Sequence, residues 1–172
     1  MTASNLILVV DDSADYRLLL QQLFSRFFST YLVRFFSDGH TLLNELPALN
    51  AETNLILLDH HMPDLNGYQT LLRLKEHSEY NRIPIVMMSA DATLPEVEAC
   101  YQAGSNSFLQ KPIDFNLLKQ TLSTVSHYWL ALNQNSGTQS GRPDSGGYLP
   151  DPNPYDKGWD QANNRHYYPV SI

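Results

Sequence analysis

Apolar runs and polar punctuation alternate along the first 132 residues with two distinct periods. Short runs rich in Leu, Ile and Val fall at 6–10, 31–36, 54–59, 83–88 and 107–110. Four of the five are almost wholly apolar, which suits strands of a parallel sheet covered on both faces. Helical spacing fills the intervals. The first helix is expected from about residue 14 to 28, with Ser13 as N-cap. A second follows Ser37, and a third follows Asn66-Gly67 with Leu71, Leu72 and Leu74 on its apolar face. A fourth opens with Thr93-Leu94-Pro95-Glu96, a capping box, and stops at Gly104. In a fifth, from Asp114, residues Leu118, Leu122, Val125, Trp129 and Leu132 recur at steps of four and three, giving one apolar face. Five strand–helix units with right-handed crossovers make an α/β fold, (βα)₅, with a doubly wound five-stranded parallel sheet.

The pattern fails after residue 132. Residues 133–172 hold five of the ten prolines and five of the eight glycines, and only Leu149, Val170 and Ile172 as aliphatics. That segment buries too little apolar surface to offset its ordering entropy, so a disordered or extended tail is expected, carrying Tyr148, Tyr155, Trp159, Tyr167 and Tyr168. The expected division is therefore a domain at 1–132 and a tail at 133–172.

Charge narrows the partners. The net charge of −7 leaves no basic face for phosphate-backbone binding, so neither nucleic acid nor anionic lipid is expected as partner. Cys100 is the single cysteine, which excludes an intrachain disulfide and reads as a small packed residue, with Met87 and Met88 as core. No stretch has the length of a membrane span and the start lacks a signal-peptide pattern, so the expected location is the cytoplasm.

In a doubly wound sheet the ligand site lies beyond the carboxyl ends of the strands. There the first strand delivers Asp11 and Asp12, the third Asp59, the fourth Ser89, and the fifth Lys111. Three carboxylates, a hydroxyl and an ammonium then share one rim. The carboxylates cannot all ionise comfortably without a cation. Mg²⁺, with Mn²⁺ as an alternative, is the hard ion such oxygen donors take together with phosphate. An Asp can act as nucleophile and hold a phosphoryl group as an acyl phosphate, its charge neutralised by metal and lysine.

These motifs, Val10-Asp11-Asp12-Ser13, Leu58-Asp59-His60-His61-Met62-Pro63 with Asn66-Gly67, Met88-Ser89-Ala90 and Lys111-Pro112-Ile113, resemble the receiver domain of bacterial two-component response regulators. The resemblance implies a flavodoxin-like, CheY-like fold and a stand-alone, chemotaxis-type regulator. It implies Asp59 as phosphoacceptor, Lys111 and Ser89 as phosphate contacts, and a metal held by Asp11, Asp12, Asp59 and the backbone carbonyl of His61. It makes Ser89 and Phe108 switch residues, with His61 and Asp91 where side chains tune phosphoryl lifetime. Phe108 lacks the hydroxyl of the frequent Tyr. Otherwise His60 and His61 read as solvated loop residues, with no metal-ligand or phosphorelay role for their side chains. The stretch His127-Tyr128-Trp129-Leu130 also resembles the helix-five end of regulators paired with phytochrome-type kinases.

The implied function is a phosphorelay receiver rather than an enzyme, catalysing only its own phosphorylation and dephosphorylation. Its partners would be a sensor histidine kinase or phosphotransfer protein and an unnamed downstream protein, met through helix four, strand five and helix five. It would be a monomer or a phosphorylation-dependent homodimer. A haloacid-dehalogenase-type phosphatase needs acids two apart at the first strand, where this chain has Asp11 and Ser13. A pseudo-receiver adaptor would be expected to lack an acid or the lysine.

Overall fold

The computed structural model describes residues 5–49, 52–133, 159–160 and 165–166. Two units divide near residue 134. The first contains the five strand–helix units: β1 (Leu6–Val10), α1 (Ala14–Phe27), β2 (Leu32–Phe36), α2 (Gly39–Leu49), β3 (Thr53–Asp59), α3 (Gly67–Glu76), β4 (Ile85–Ser89), α4 (Leu94–Gln102), β5 (Ser107–Gln110) and α5 (Phe115–His127). The strands form one parallel sheet in the order β2-β1-β3-β4-β5. Chain order reverses between β1 and β3, and the rim above that reversal is where ligand chemistry is expected.

Strand periodicity divides the core in two. Leu8, Val10, Ile56, Leu58, Ile85 and Met87 face one side, against Leu42, Leu46, Leu71, Leu74 and Cys100 from α2, α3 and α4. Ile7, Val9, Leu55, Leu57, Val86 and Met88 face the other, against Leu20, Leu23, Phe24, Leu118 and Leu122 from α1 and α5. Both faces are covered, so β1 and β4 are buried throughout, while the edge strands β2 and β5 are partly open. Cys100 and the Met87-Met88 pair are buried, as their residue types suggest.

Local signals place the helix ends. Ser13 Oγ accepts the Tyr16 N–H at 3.2 Å. Asn66 and Gln69 form a reciprocal capping box on α3, and Thr93 and Glu96 form one on α4. Gly104 ends α4 with a φ of 95°, a left-handed conformation that favours glycine. Asp114 caps α5 through the Leu117 N–H at 2.8 Å.

The expected apolar stripe of the fifth helix departs from the structure at its end. A π-helical turn, Tyr128–Leu132, follows α5. The wider turn alters the angular step, so Leu130 packs toward the core beside Trp129 while Leu132 is 62% exposed. The starting residues of β2, β3 and β4 shift by one or two positions from the expected bounds.

The second unit spans Asn135–Ile172. Its described residues are two short strands, β6 (Trp159–Asp160) and β7 (Arg165–His166), paired antiparallel with Trp159 opposite His166. The remainder of the segment expected to be a disordered or extended tail lies outside the described residues. Among the described residues no helix is long and apolar enough to cross a membrane.

Candidate functional site

The rim at the carboxyl ends of β1, β3 and β4 assembles the acids that the chain presents one strand at a time. Asp11 and Asp59 are buried, at 2% and 5% exposure, whereas Asp12 is open to solvent. One carboxylate oxygen from each of Asp11, Asp12 and Asp59 lies within 4.8 Å of the others. Lys111 reaches in from the segment after β5. Its Nζ donates to Asp11 Oδ2 at 2.7 Å and stands 2.9 Å from Asp59 Oδ2. The lysine is anchored by its own backbone, whose N–H donates to the Ser89 carbonyl at 2.7 Å.

Asp11 is oriented from below. Its Oδ1 accepts the Ser13 N–H at 2.9 Å, and Arg17 Nη1 donates to its backbone carbonyl at 2.6 Å. Asp59 is held by the turn that follows it. The His60 N–H donates to the Met88 carbonyl at 2.8 Å, and the Gly67 N–H returns to the His60 carbonyl at 3.0 Å. A Cβ on Gly67 would collide with the Asp59 carbonyl oxygen, so the close approach at this turn requires glycine.

The electrostatics follow from burial and like charge. Burial pushes the Asp59 carboxyl up to about 6; Lys111 opposes that rise, and Asp11 and Asp12 add to it. Desolvation therefore outweighs the ammonium, even at 2.9 Å. Tyr16, on the first turn of α1, lies under the lysine, whose Nζ is 4.6 Å from the ring centroid. Its hydroxyl is buried without a hydrogen-bond partner, and burial, followed by Asp11 and Asp59, holds the phenol well above its usual range.

Ser89 is buried at the end of β4, and its Oγ accepts the Asp91 N–H at 3.3 Å. Phe108 on β5 is half-buried, with its ring 5.7 Å from that of His60 in a T-shaped contact. Its N–H donates to the Tyr101 hydroxyl at 3.1 Å. His61 is half-exposed, its Nε2 3.9 Å from Asp91 Oδ1, so these two residues do meet at the rim.

His60 overturns the solvated-loop reading. It is buried, at 7% exposure, because the turn closed by Gly67 directs its ring onto α4. There Nδ1 lies 3.7 Å from Cys100 Sγ and Nε2 lies 3.6 Å from Glu96 Oε1. Burial, then His61, pushes its pKa below the ordinary imidazole value despite Glu96, so the ring is neutral at pH 7. His61 is the member of the pair left at the surface, its side chain 49% exposed.

Tyr16, Arg17 and Tyr101 belong to these contacts and were not singled out in the sequence, and Glu96 was read there only as part of the capping box of the fourth helix. Tyr16 and Arg17 carried one usable signal: they follow the Ser13 cap in the first turn of a helix that starts at the acidic rim.

The chain belongs to the response regulator receiver family, whose domain model matches residues 7–123. It is thereby a CheY-like receiver of two-component phosphorelay signalling. Among curated proteins it is 27% identical over 136 residues to the probable methanogenesis regulatory protein FilR2 of Methanothrix harundinacea, covering 77% of this chain and 88% of that one. It is 30% identical to the chemotaxis protein CheY1 of Helicobacter pylori, over 69% of this chain and 94% of the relative. Against the Arabidopsis thaliana two-component response regulator ARR6 the match, 36% identical, spans 41% of this chain and only 38% of the relative. Of solved structures, the phosphorylated cyanobacterial phytochrome response regulator RcpA superposes with a TM-score of 0.70 at 23% identity, over 77% of this chain and 98% of that one. The Mn²⁺-bound form of response regulator Rcp1 gives 0.67 at 24%, over 76% and 98%.

Proposed function

We propose that Asp59 is the phosphoacceptor of this receiver and that Lys111, Ser89 and Phe108 convert its phosphorylation into a change of surface. The observation that carries this reading is one lysine bridging two buried acids from different strands, at 2.7 and 2.9 Å. Around pH 7 Asp59 is largely ionised and can act as nucleophile, since its carboxyl titrates at about 6. An Asp59 oxygen attacks the phosphorus of a kinase phosphohistidine; the P–O bond forms, the P–N bond breaks, and the imidazole leaves with its electron pair and takes a proton.

Asp11, Asp12 and Asp59 are hard oxygen donors within 4.8 Å of one another, with Asp12 on the solvent side, and they fit Mg²⁺ or Mn²⁺ with retained waters. The His61 carbonyl is the fourth protein ligand in this reading. When bound, such an ion neutralises charge on the phosphoryl oxygens in transfer. Lys111 then exchanges part of its carboxylate contact for a phosphoryl oxygen. Ser89 turns its Oγ from the Asp91 N–H toward the phosphoryl group, and Phe108 packs behind it. His61 and Asp91, in contact at the rim, set how readily water reaches the acyl phosphate.

On this reading the chain catalyses only its own phosphorylation and dephosphorylation. It works in the cytoplasm, receives phosphoryl from a histidine kinase or phosphotransfer protein, and answers to a downstream protein at α4, β5 and α5. Phosphorylation by acetyl phosphate with Mg²⁺ tests it, read by NMR in wild type and Ser89→Ala. Both should accept one phosphoryl group, and shift changes should reach α4 and β5 in wild type and shrink in the variant. Identical changes in both would remove Ser89 from the relay.

A further inference from the structure

A second donor cluster, softer than the first, lies between the turn after β3 and the first turn of α4. His60, His61 and Glu96 each offer a ligand atom within 4.8 Å of the others. Two imidazoles and one carboxylate form the donor set of a borderline divalent ion such as Zn²⁺, not of Mg²⁺. We propose that His60, His61 and Glu96 form a Zn²⁺-type site that ties the loop after β3 to the first turn of α4.

The carboxylate is built for this. Glu96 Oε2 is occupied by its capping box, accepting from the Thr93 N–H at 2.8 Å and the Thr93 hydroxyl at 2.7 Å. Oε1 is thereby turned toward His60 Nε2, 3.6 Å away. That separation is too long for a hydrogen bond. It is close to the ~3.3 Å edge between two ligands of a tetrahedral zinc with bonds of about 2.0–2.1 Å. The other nitrogen of the buried His60 ring contacts Cys100 Sγ at 3.7 Å, a weak partner standing where a ligating histidine ordinarily has a carboxylate, carbonyl or water. His61 packs edge-on against it, with ring centroids 4.6 Å apart, and brings the third ligand from the solvent side. A water closes the fourth position, as in zinc sites with three protein ligands.

The site differs from the acidic rim in donor type, and the two share no side chain. It joins residues adjacent in sequence to Asp59 to the helix on the expected output face. Metal held there would lock α4 to the acceptor loop and so oppose or reinforce the switch.

The test uses the full chain, stripped of metal, in excess Mg²⁺ so that the acidic rim is saturated. ZnCl₂ is titrated calorimetrically into wild type, His61→Gln, Glu96→Gln and Asp12→Ala, with circular dichroism to confirm folding. The side chains of His61 and Glu96 are 49% and 39% exposed and lie outside the core, so these substitutions leave it intact. Wild type and Asp12→Ala should each bind one equivalent that His61→Gln and Glu96→Gln lose or bind at least tenfold more weakly. Co²⁺ in place of Zn²⁺ should give the intense visible bands of a tetrahedral site in the first pair alone. Equal binding by all four proteins, or loss in Asp12→Ala with retention in the other two, would overturn the site.

Discussion

The acceptor carboxylate should cost the metal-free protein stability, and the cost should depend on pH. In the folded chain Asp59 titrates at about 6 rather than the ordinary 3.8. A folded-state pKa above the unfolded one means that the native protein holds this proton more tightly than the unfolded chain does. The stabilisation from protonated Asp59 is complete below the unfolded pKa and is lost as pH rises through the folded one. At about 1.36 kcal/mol per pKa unit, a shift of this size corresponds to at most ~3 kcal/mol, and solvent at the open Asp12 side reduces it to roughly 1–3 kcal/mol. Asp59→Asn removes the titration, while Lys111 keeps its 2.7 Å contact with Asp11. Urea unfolding in EDTA should therefore find the variant gaining on wild type between about pH 4 and pH 6 and more stable by ~1–3 kcal/mol near pH 7.5. Adding Mg²⁺ should narrow or reverse the gap, because wild type gains RT ln(1+[L]/Kd) from a complete carboxylate set. A variant less stable than wild type near pH 7.5 in EDTA, or a difference independent of pH, would refute the electrostatic account of Asp59.

Three other perturbations follow from the same contacts. Lys111→Met leaves Asp11 and Asp59 buried beside each other without a cation; in EDTA it should lower stability by about 2–4 kcal/mol near neutral pH and by less at pH 4, by urea unfolding. Tyr16→Phe deletes a buried hydroxyl that has no partner and should be neutral or stabilising by up to ~1 kcal/mol, by the same assay. Gly67→Ala drives a methyl group into the Asp59 backbone; thermal melts should show a loss of more than ~2 kcal/mol, together with slower phosphorylation.

Much of this architecture was legible because each level of signal agreed. The strand faces 6, 8, 10 against 7 and 9 separate into the two cores as a period of two requires. Ser13 and the Thr93–Glu96 box are caps both in pattern and in structure, and Asn66 and Asp114, read in the sequence only as helix starts, prove to be caps as well. The rim acids were legible because in this topology a residue at a strand's carboxyl end has one place to go. What was not legible depends on the third dimension. His60 and His61 are neighbours of the same type in one loop, yet one is buried against Cys100 and the other half-exposed. Only the turn at Gly67 and the position of α4 decide which is which. The π-helical turn after α5 hides for a similar reason: Leu132 continues the four-and-three stripe, and a single widened turn puts Leu130 in its place. Glu96 announced itself as a cap, but its second oxygen facing His60 could not be read from spacing.

Chemical trapping of the acyl phosphate tests the assignment of the acceptor most directly. The chain is treated with acetyl phosphate and Mg²⁺, reduced with borohydride, which converts an aspartyl phosphate into homoserine with release of phosphate, and mapped by tandem mass spectrometry. Homoserine should appear at position 59 alone, should require Mg²⁺, and should be absent from Asp59→Asn. Homoserine at position 11 or 12 in wild type, or unmodified Asp59 in a chain that nevertheless carries phosphoryl, would contradict it.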